Sequence, residues 1–175
     1  VVDLQQVAVG PQNLSTILTE FPYLPPQSVL FGLGLDGLPI LLNLLDPAPE
    51  SILIAGKQGC GKTAFLKSML RFVASQNSPH EVKALVLAND PTEWDDITQT
   101  VDSQFLIDVR GSYERKAGDL IMAMAAKAEQ RRYGRELGPS ILVLIDNLED
   151  IYKQDYDATL NFEWLIHEGA SSQVW

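Results

Sequence analysis

Several kinds of residue are scarce in this 175-residue chain, and each scarcity excludes a class of protein. Cysteine occurs once, at Cys60, so no disulfide can form within the chain, which fits a reducing compartment. The longest apolar runs, around residues 38–45 and 141–145, fall far short of the ~20 residues of a membrane-spanning helix. The two histidines, His80 and His167, lack metal-ligand spacing. The composition therefore predicts one globular domain without a membrane segment, and we expect a cytoplasmic location.

Positive charge is also scarce. Residues 1–50 contain no Lys or Arg, and the formal net charge of the chain is −10. Such a surface repels nucleic acid. The basic residues gather in residues 110–135, where acidic residues dilute them, as is typical of a solvated helix face.

Glycines cluster in residues 56–64, and their spacing indicates a binding site. Gly56-x-x-x-x-Gly61-Lys62-Thr63 satisfies the Walker A pattern of a phosphate-binding loop. The apolar residues 52–54 predict a buried strand before the loop, and apolar residues at helical spacing in 66–73 predict a helix after it. The predicted nucleotide-binding residues are Gly56, Lys57, Gln58, Gly59, Cys60, Gly61, Lys62, Thr63 and Ala64.

The chemistry of this loop follows from its backbone. Glycines let successive N–H groups point inward as an anion nest, and the following helix adds the positive end of its dipole. Lys62 is expected to contact the β and γ phosphates, and the Thr63 hydroxyl to complete the shell of a magnesium ion. The loop therefore predicts binding of a nucleoside triphosphate with Mg²⁺.

Strand and helix patterns alternate along the rest of the chain. Residues 1–27 form a lead-in segment with one short helix at 13–20, and Asp36-Gly37 predicts the turn of a hairpin between residues 28–33 and 38–44. Buried strands are predicted at 82–88, 104–109 and 141–145, a long helix at 114–133, and a last helix beginning at 162–167. This alternation predicts an α/β fold, a mostly parallel sheet flanked by helices in three layers, over residues 28–175.

Polar residues follow these strands, where a parallel sheet binds its ligands. Asn89, Asp90, Asp108 and Asp146 are expected to collect there with the loop. Asp146 ends a continuously apolar strand, as the magnesium-binding Asp of a Walker B strand does. Asn147 stands where many such ATPases have a catalytic Glu, and it can hold a water without accepting its proton. Glu149 is a weak candidate for the base.

These patterns resemble the FtsK/SpoIIIE family of hexameric motor proteins, within the FtsK and HerA group of RecA-like ATPases. The resemblance runs through residues 31–45, the loop strand 51–56, the second strand with its Asp90-Pro91 ending, and residues 114–133. Thr92 and Asn147 depart from the family pattern. The resemblance implies a RecA-like P-loop fold, ATP and Mg²⁺ as ligands, a homo-oligomeric ring, and DNA as a partner. We also expect the chain to be part of a longer protein.

Three functions remain open from the sequence. The first is a motor ATPase that moves DNA, or a protein, through a ring. The second is a degenerate module that binds ATP without hydrolysing it and serves assembly or regulation. A GTPase is the weaker third, based on Asp108-x-x-Gly111 and Asn147-x-x-Asp150. Arg110, Arg115 and Arg135 are equal candidates for an arginine finger.

Overall fold

A computed structural model describes residues 13–175 of the chain, so the first twelve residues of the predicted lead-in segment lie outside the described residues. Helix α1 spans Leu14–Glu20, and the Asn13 side chain caps it by accepting a hydrogen bond from the Thr16 N–H. Strands β1 (Ser28–Leu33) and β2 (Pro39–Asn43) pair antiparallel. The predicted short helix and hairpin are therefore confirmed.

The main sheet has three parallel strands, β3 (Val82–Ala88), β4 (Leu106–Gly111) and β5 (Ser140–Ile145), in the order β4-β3-β5. The helices that connect and follow them are α2 (Lys62–Gln76), α3 (Asp95–Thr100), α4 (Arg115–Arg132), α5 (Leu148–Ile151) and α6 (Tyr156–Glu168). Short 3-10 turns lie at Pro91–Trp94 and Ala170–Ser172. None of the helices within residues 13–175 is both long and apolar enough to cross a membrane.

Side-chain alternation along β3 divides the core into two layers. Ala84 and Val86 pack in a cluster with α2 and the hairpin, whereas Leu85 and Leu87 pack in a cluster with α4 and α6. A strand that is covered on both faces has to be apolar at consecutive positions, as β3 is. The predicted three-layer α/β fold with an N-terminal hairpin is therefore confirmed.

The strand predicted before the phosphate loop is wrong for this structure. Residues 51–57 adopt no regular secondary structure, and residues 51–55 make no backbone hydrogen bond within the described chain. Leu53 is 78% exposed and Ile52 is 42% exposed. An apolar run becomes a strand only when a neighbour pairs with its backbone, and no strand lies beside these residues in the described part of the chain.

The boundaries of two predicted elements, a strand and a helix, differ from those in the structure. Strand β4 continues to Gly111, two residues beyond the predicted end, so Asp108 lies within the strand and pairs in register with Leu85. Helix α6 begins at Tyr156, well before residue 162, because the Asp155 side chain accepts a hydrogen bond from the Ala158 N–H and caps the helix there.

Candidate nucleotide-binding site

The phosphate loop ends at the first residue of α2. Gly59 and Gly61 have φ values of 74° and 93°, a region that residues with a Cβ rarely adopt. Gly61 is the N-cap of α2, and its carbonyl accepts the first helical hydrogen bond from Phe65 at 2.9 Å. The N-terminus of this 15-residue helix therefore opens directly into the loop, where its free N–H groups favour an anion.

The Lys62 side chain is hydrogen-bonded to the backbone of its own loop. Its Nζ donates to the carbonyl oxygens of Gly56, at 3.0 Å, and Lys57, at 3.1 Å. The side chains of Lys57, Gln58, Cys60 and Ala64 are exposed. The ammonium group is thus held over the loop by two neutral acceptors, and it can exchange them for phosphate oxygens, which carry charge and bind it more strongly.

Thr63 and Asp146, which lie 83 positions apart, meet at the carboxyl end of β5. The Thr63 hydroxyl lies 2.9 Å from both carboxylate oxygens of Asp146. A hydroxyl and a carboxylate are oxygen ligands of the kind that Mg²⁺ prefers. The two predicted magnesium-binding residues are therefore adjacent, and their donor set fits that ion.

Asn147 is occupied by the polypeptide itself. Its Oδ1 accepts from the Glu149 N–H at 3.2 Å and caps α5, while its Nδ2 donates to Asn89 Oδ1 at 3.1 Å and Asp150 Oδ2 at 2.8 Å. Asp150 in turn accepts from the Ser112 hydroxyl at 3.1 Å. This network ties the turn after β5 to the ends of β3 and β4. Sequence reasoning missed the roles of Asp150 and Ser112, although a side-chain acceptor before a helical turn is a recognisable cap signal.

Glu149 points towards solvent. Its side chain is 77% exposed and forms a 2.9 Å ion pair with Lys153, one helical turn further on. A hydrogen bond from Lys153 Nζ to Glu149, with the charges of Glu149 and Asp150, raises the pKa of Lys153 against a smaller effect of desolvation. The Glu149 carboxylate is thus paired at the surface.

Asp108 and Asp90 do not join Thr63 and Asp146. Asp108 lies on the edge strand β4, where its carboxylate contacts Arg110 at 3.1 Å and Lys116 at 3.0 Å. Burial raises the pKa of Asp108, but the hydrogen bonds and charges of Lys116 and Arg110 outweigh that effect and hold it below its usual value. Asp90 caps the 3-10 turn by accepting from the Thr92 N–H and hydroxyl. The expected gathering of every strand-end carboxylate is therefore wrong for Asp108, because β4 ends at Gly111, three residues beyond Asp108.

The three arginine-finger candidates differ in their surroundings. Arg110 is engaged by Asp108 and Glu114, Arg115 is exposed at the start of α4, and Arg135 lies over the Tyr133 ring. Arg131 lies deeper in the protein, and its guanidinium donates to the carbonyls of Pro139, Ser172 and Gln173. It therefore holds the turn that leads to the last residues of the chain.

Comparison with solved structures places this architecture among P-loop ATPase folds. The chain is similar to Thermomonospora curvata EccC (ATPases 2 and 3) in complex with a signal sequence peptide, with a TM-score of 0.65 and 16% identity, over 93% of this chain and 30% of that chain. It is also similar to the cytoplasmic domain of the Thermomonospora curvata type VII secretion ATPase EccC, with a TM-score of 0.60 and 17% identity, over 87% of this chain and 19% of that chain. The chain thus spans less than a third of either EccC chain.

Sequence comparison adds a family. No curated protein matches the chain. The sequence model of the FtsK/SpoIIIE family matches residues 25–101, which include the hairpin, the phosphate loop, α2 and β3. Over these residues the chain is similar to the FtsK/SpoIIIE family.

Proposed function

We propose that the unit formed by residues 28–175 is an ATP- and magnesium-binding module whose own residues favour binding over rapid hydrolysis. The contact between the Thr63 hydroxyl and both carboxylate oxygens of Asp146 carries the proposal. It brings the end of the Walker A motif to the end of the Walker B strand, so one ion can be held by both. No sequence spacing alone requires that contact.

Each residue of the site has a distinct task in this proposal. The loop residues from Gly56 to Gly61 wrap the phosphates with backbone N–H groups, and Lys62 releases the carbonyls of Gly56 and Lys57 to bind the β and γ phosphates. Thr63 and Asp146 would hold Mg²⁺, which when bound neutralises phosphate charge.

Rapid hydrolysis is disfavoured by the residues beside Asp146. A water that attacks the γ phosphate needs a group that orients it or takes its proton. The amide of Asn147 is committed to Glu149, Asn89 and Asp150, and the Glu149 carboxylate is paired with Lys153. The degenerate binding module is therefore the better supported of the sequence-based alternatives. A motor ATPase remains the second candidate, because the Walker A motif and Asp146 are complete.

A GTPase is the least supported alternative. The Asp108 carboxylate is held on the edge strand by Arg110 and Lys116. The Asp150 carboxylate accepts from Asn147 and Ser112 at Oδ2, and its Oδ1 lies 3.5 Å from Lys153 Nζ, so both oxygens already have partners within the protein.

For the whole protein, we propose a ring of P-loop modules that acts on a protein more readily than on DNA. The net charge of −10 and the absence of Lys and Arg from residues 1–50 oppose attraction to a phosphate backbone. EccC, a secretion ATPase that has been solved with a signal sequence peptide, offers a precedent for a protein substrate on this fold. DNA remains the partner implied by the family, and fluorescence anisotropy with duplex DNA at low salt tests it.

Titration with fluorescent ATP and GTP, with and without magnesium, tests the binding function. We expect selective binding of ATP that magnesium strengthens, that Lys62→Ala abolishes, and that Thr63→Val leaves weakened and insensitive to magnesium. Lys83→Ala is the matched control, because this lysine lies near the start of β3, at the opposite end of the strand from the loop. Binding that survives Lys62→Ala, or a preference for GTP, would refute the proposal.

A further inference from the structure

Residues 34–38, which we name the hairpin tip, present apolar side chains to solvent on an ordered backbone. The Gly34 N–H donates to the Leu38 carbonyl at 2.8 Å, and the Leu38 N–H donates to Asp36 Oδ1 at 3.1 Å. Leu35 is 97% exposed and Leu38 is largely exposed. Because hydrogen bonds already hold the turn, a partner that covers these leucines has little backbone to order.

Residues 133–137, which we name the α4 loop, have a matching composition. The N–H groups of Gly134 and Arg135 donate to carbonyls in the last turn of α4, each at 2.9 Å, so this backbone is also ordered. Leu137 is 93% exposed and Tyr133 is largely exposed. The Arg135 guanidinium lies over the Tyr133 ring, 5.4 Å from its centroid. The loop therefore combines two apolar side chains with one positive charge.

The two patches carry opposite charges and lie on opposite faces of the main sheet. Neither Asp36 nor Arg135 has an ion-pair partner within residues 13–175. The hairpin packs with α2 over one face of β3, whereas α4 packs over the other face. A contact between the hairpin tip and the α4 loop therefore joins two molecules.

We propose that the hairpin tip of one copy of this chain docks on the α4 loop of a second copy. In this contact Asp36 pairs with Arg135, and the leucines of the tip cover Tyr133 and Leu137. The inference rests on the proposed assembly of P-loop modules, and it names the surfaces that meet. Because the two surfaces differ, each copy keeps one free tip and one free loop, so copies add head to tail and can close into a ring.

Other occupants fit these patches less well. A two-fold contact would bring Asp36 against Asp36, or Arg135 against Arg135, and like charges repel. The described part of the chain up to residue 50 holds four acidic residues and no Lys or Arg, so the tip does not attract nucleic acid. An unrelated acidic peptide could cover the α4 loop but would leave the tip exposed. A second copy covers both patches with one contact.

The contact is small, so the separate chain should associate weakly. A few side chains from each copy bury less than the ~1,200 Å² at which stable interfaces begin. We therefore expect a dissociation constant of about 0.1–1 mM for one contact. Sedimentation equilibrium of the nucleotide-free chain, at concentrations up to about 1 mM, covers this range. The average mass should rise with concentration beyond that of a dimer.

Charge reversal tests the pairing. Asp36→Lys and Arg135→Glu should each weaken self-association by about tenfold or more, because every contact then joins like charges. An equal mixture of the two variants should regain association, since each contact between unlike variants again joins opposite charges. Asp36→Asn, which keeps the acceptor for the Leu38 N–H, should weaken association less than Asp36→Lys.

Truncation tests the apolar part of the contact. Leu35→Ala and Leu137→Ala should each weaken association without lowering stability, because both side chains are almost fully exposed in the separate chain. Leu160→Ala is the matched control, since this half-exposed leucine of α6 lies outside both patches. It should leave association unchanged.

Cross-linking detects the contact even if association is weak. Cys60 is the single cysteine, so a Cys60→Ala background removes every other thiol. Leu35→Cys and Leu137→Cys are made separately in that background, mixed, and oxidised mildly. We expect disulfides between unlike variants, while each variant alone stays monomeric on non-reducing gels.

Several outcomes would overturn the proposal. They are the absence of any cross-link, cross-links between like variants at an equal rate, association that stops at a dimer, and charge variants that stay monomeric when mixed. Assembly that none of these substitutions changes would refute the surfaces named here and leave the proposed ring standing. Nucleotide is absent throughout, so failure of the contact is separate from failure of the proposed ATP binding.

Discussion

Two leucines that line the same cavity should respond very differently to truncation. Leu53 lies in the segment before the phosphate loop and is 78% exposed, whereas Leu142 lies in β5 and is 5% exposed. Full burial of a leucine side chain is worth about 1.5–3 kcal/mol, so the buried fifth of Leu53 accounts for roughly 0.5 kcal/mol. Removing a buried leucine side chain costs about 2–5 kcal/mol, and we expect the lower half of that range for Leu142→Ala because it borders an open cavity.

Urea denaturation of Leu53→Ala and Leu142→Ala, beside the parent chain, measures the difference. The midpoint should shift little for the first variant and strongly for the second, with the same dependence of unfolding free energy on urea in all three proteins. Equal losses would mean that residues 52–54 are packed in the sheet, as the apolar pattern predicted. They would refute the placement of this segment outside the sheet.

Further predictions concern the residues around the site. Asp108→Asn should lower the unfolding free energy by roughly 1 kcal/mol near neutral pH. Because the native pKa of Asp108 is lowered, the stability it contributes is present above the ordinary carboxyl pKa and disappears as pH falls through the native pKa, so urea titrations of both proteins at a series of pH values should converge in acid. Arg131→Met should cost about 2 kcal/mol, because three carbonyls lose a charged donor, and Arg131→Lys should recover only part of it in thermal unfolding; full recovery would mean that charge alone matters. Asn147→Ala should cost about 1 kcal/mol through loss of the α5 cap and leave ATP affinity unchanged by fluorescence titration; a large loss of affinity would give Asn147 a direct role in binding.

The local sequence pattern was sufficient to predict those elements whose structure depends on residues that are close together in the sequence. The hairpin turn at Asp36-Gly37, strand β3 and the helix after the phosphate loop follow from turn chemistry and apolar periodicity, and the structure has them close to the predicted bounds. The same holds for Lys62 at the start of α2. The boundaries of β4 and α6 moved because a strand end and a helix cap depend on single hydrogen bonds that the apolar pattern does not encode.

The sequence by itself determined the fold class and the phosphate loop, because glycine spacing and continuous apolar strands carry that information locally. Tertiary structure decided the rest. The apolar residues 52–54 form no strand, since a strand exists only when a second backbone pairs with it and none lies beside them in the described chain. Asn147 joins Asn89, Ser112 and Asp150 in one network, because β3, β4 and β5 end close together. Contacts of this kind depend on how distant segments pack against one another, so no local sequence pattern predicts them.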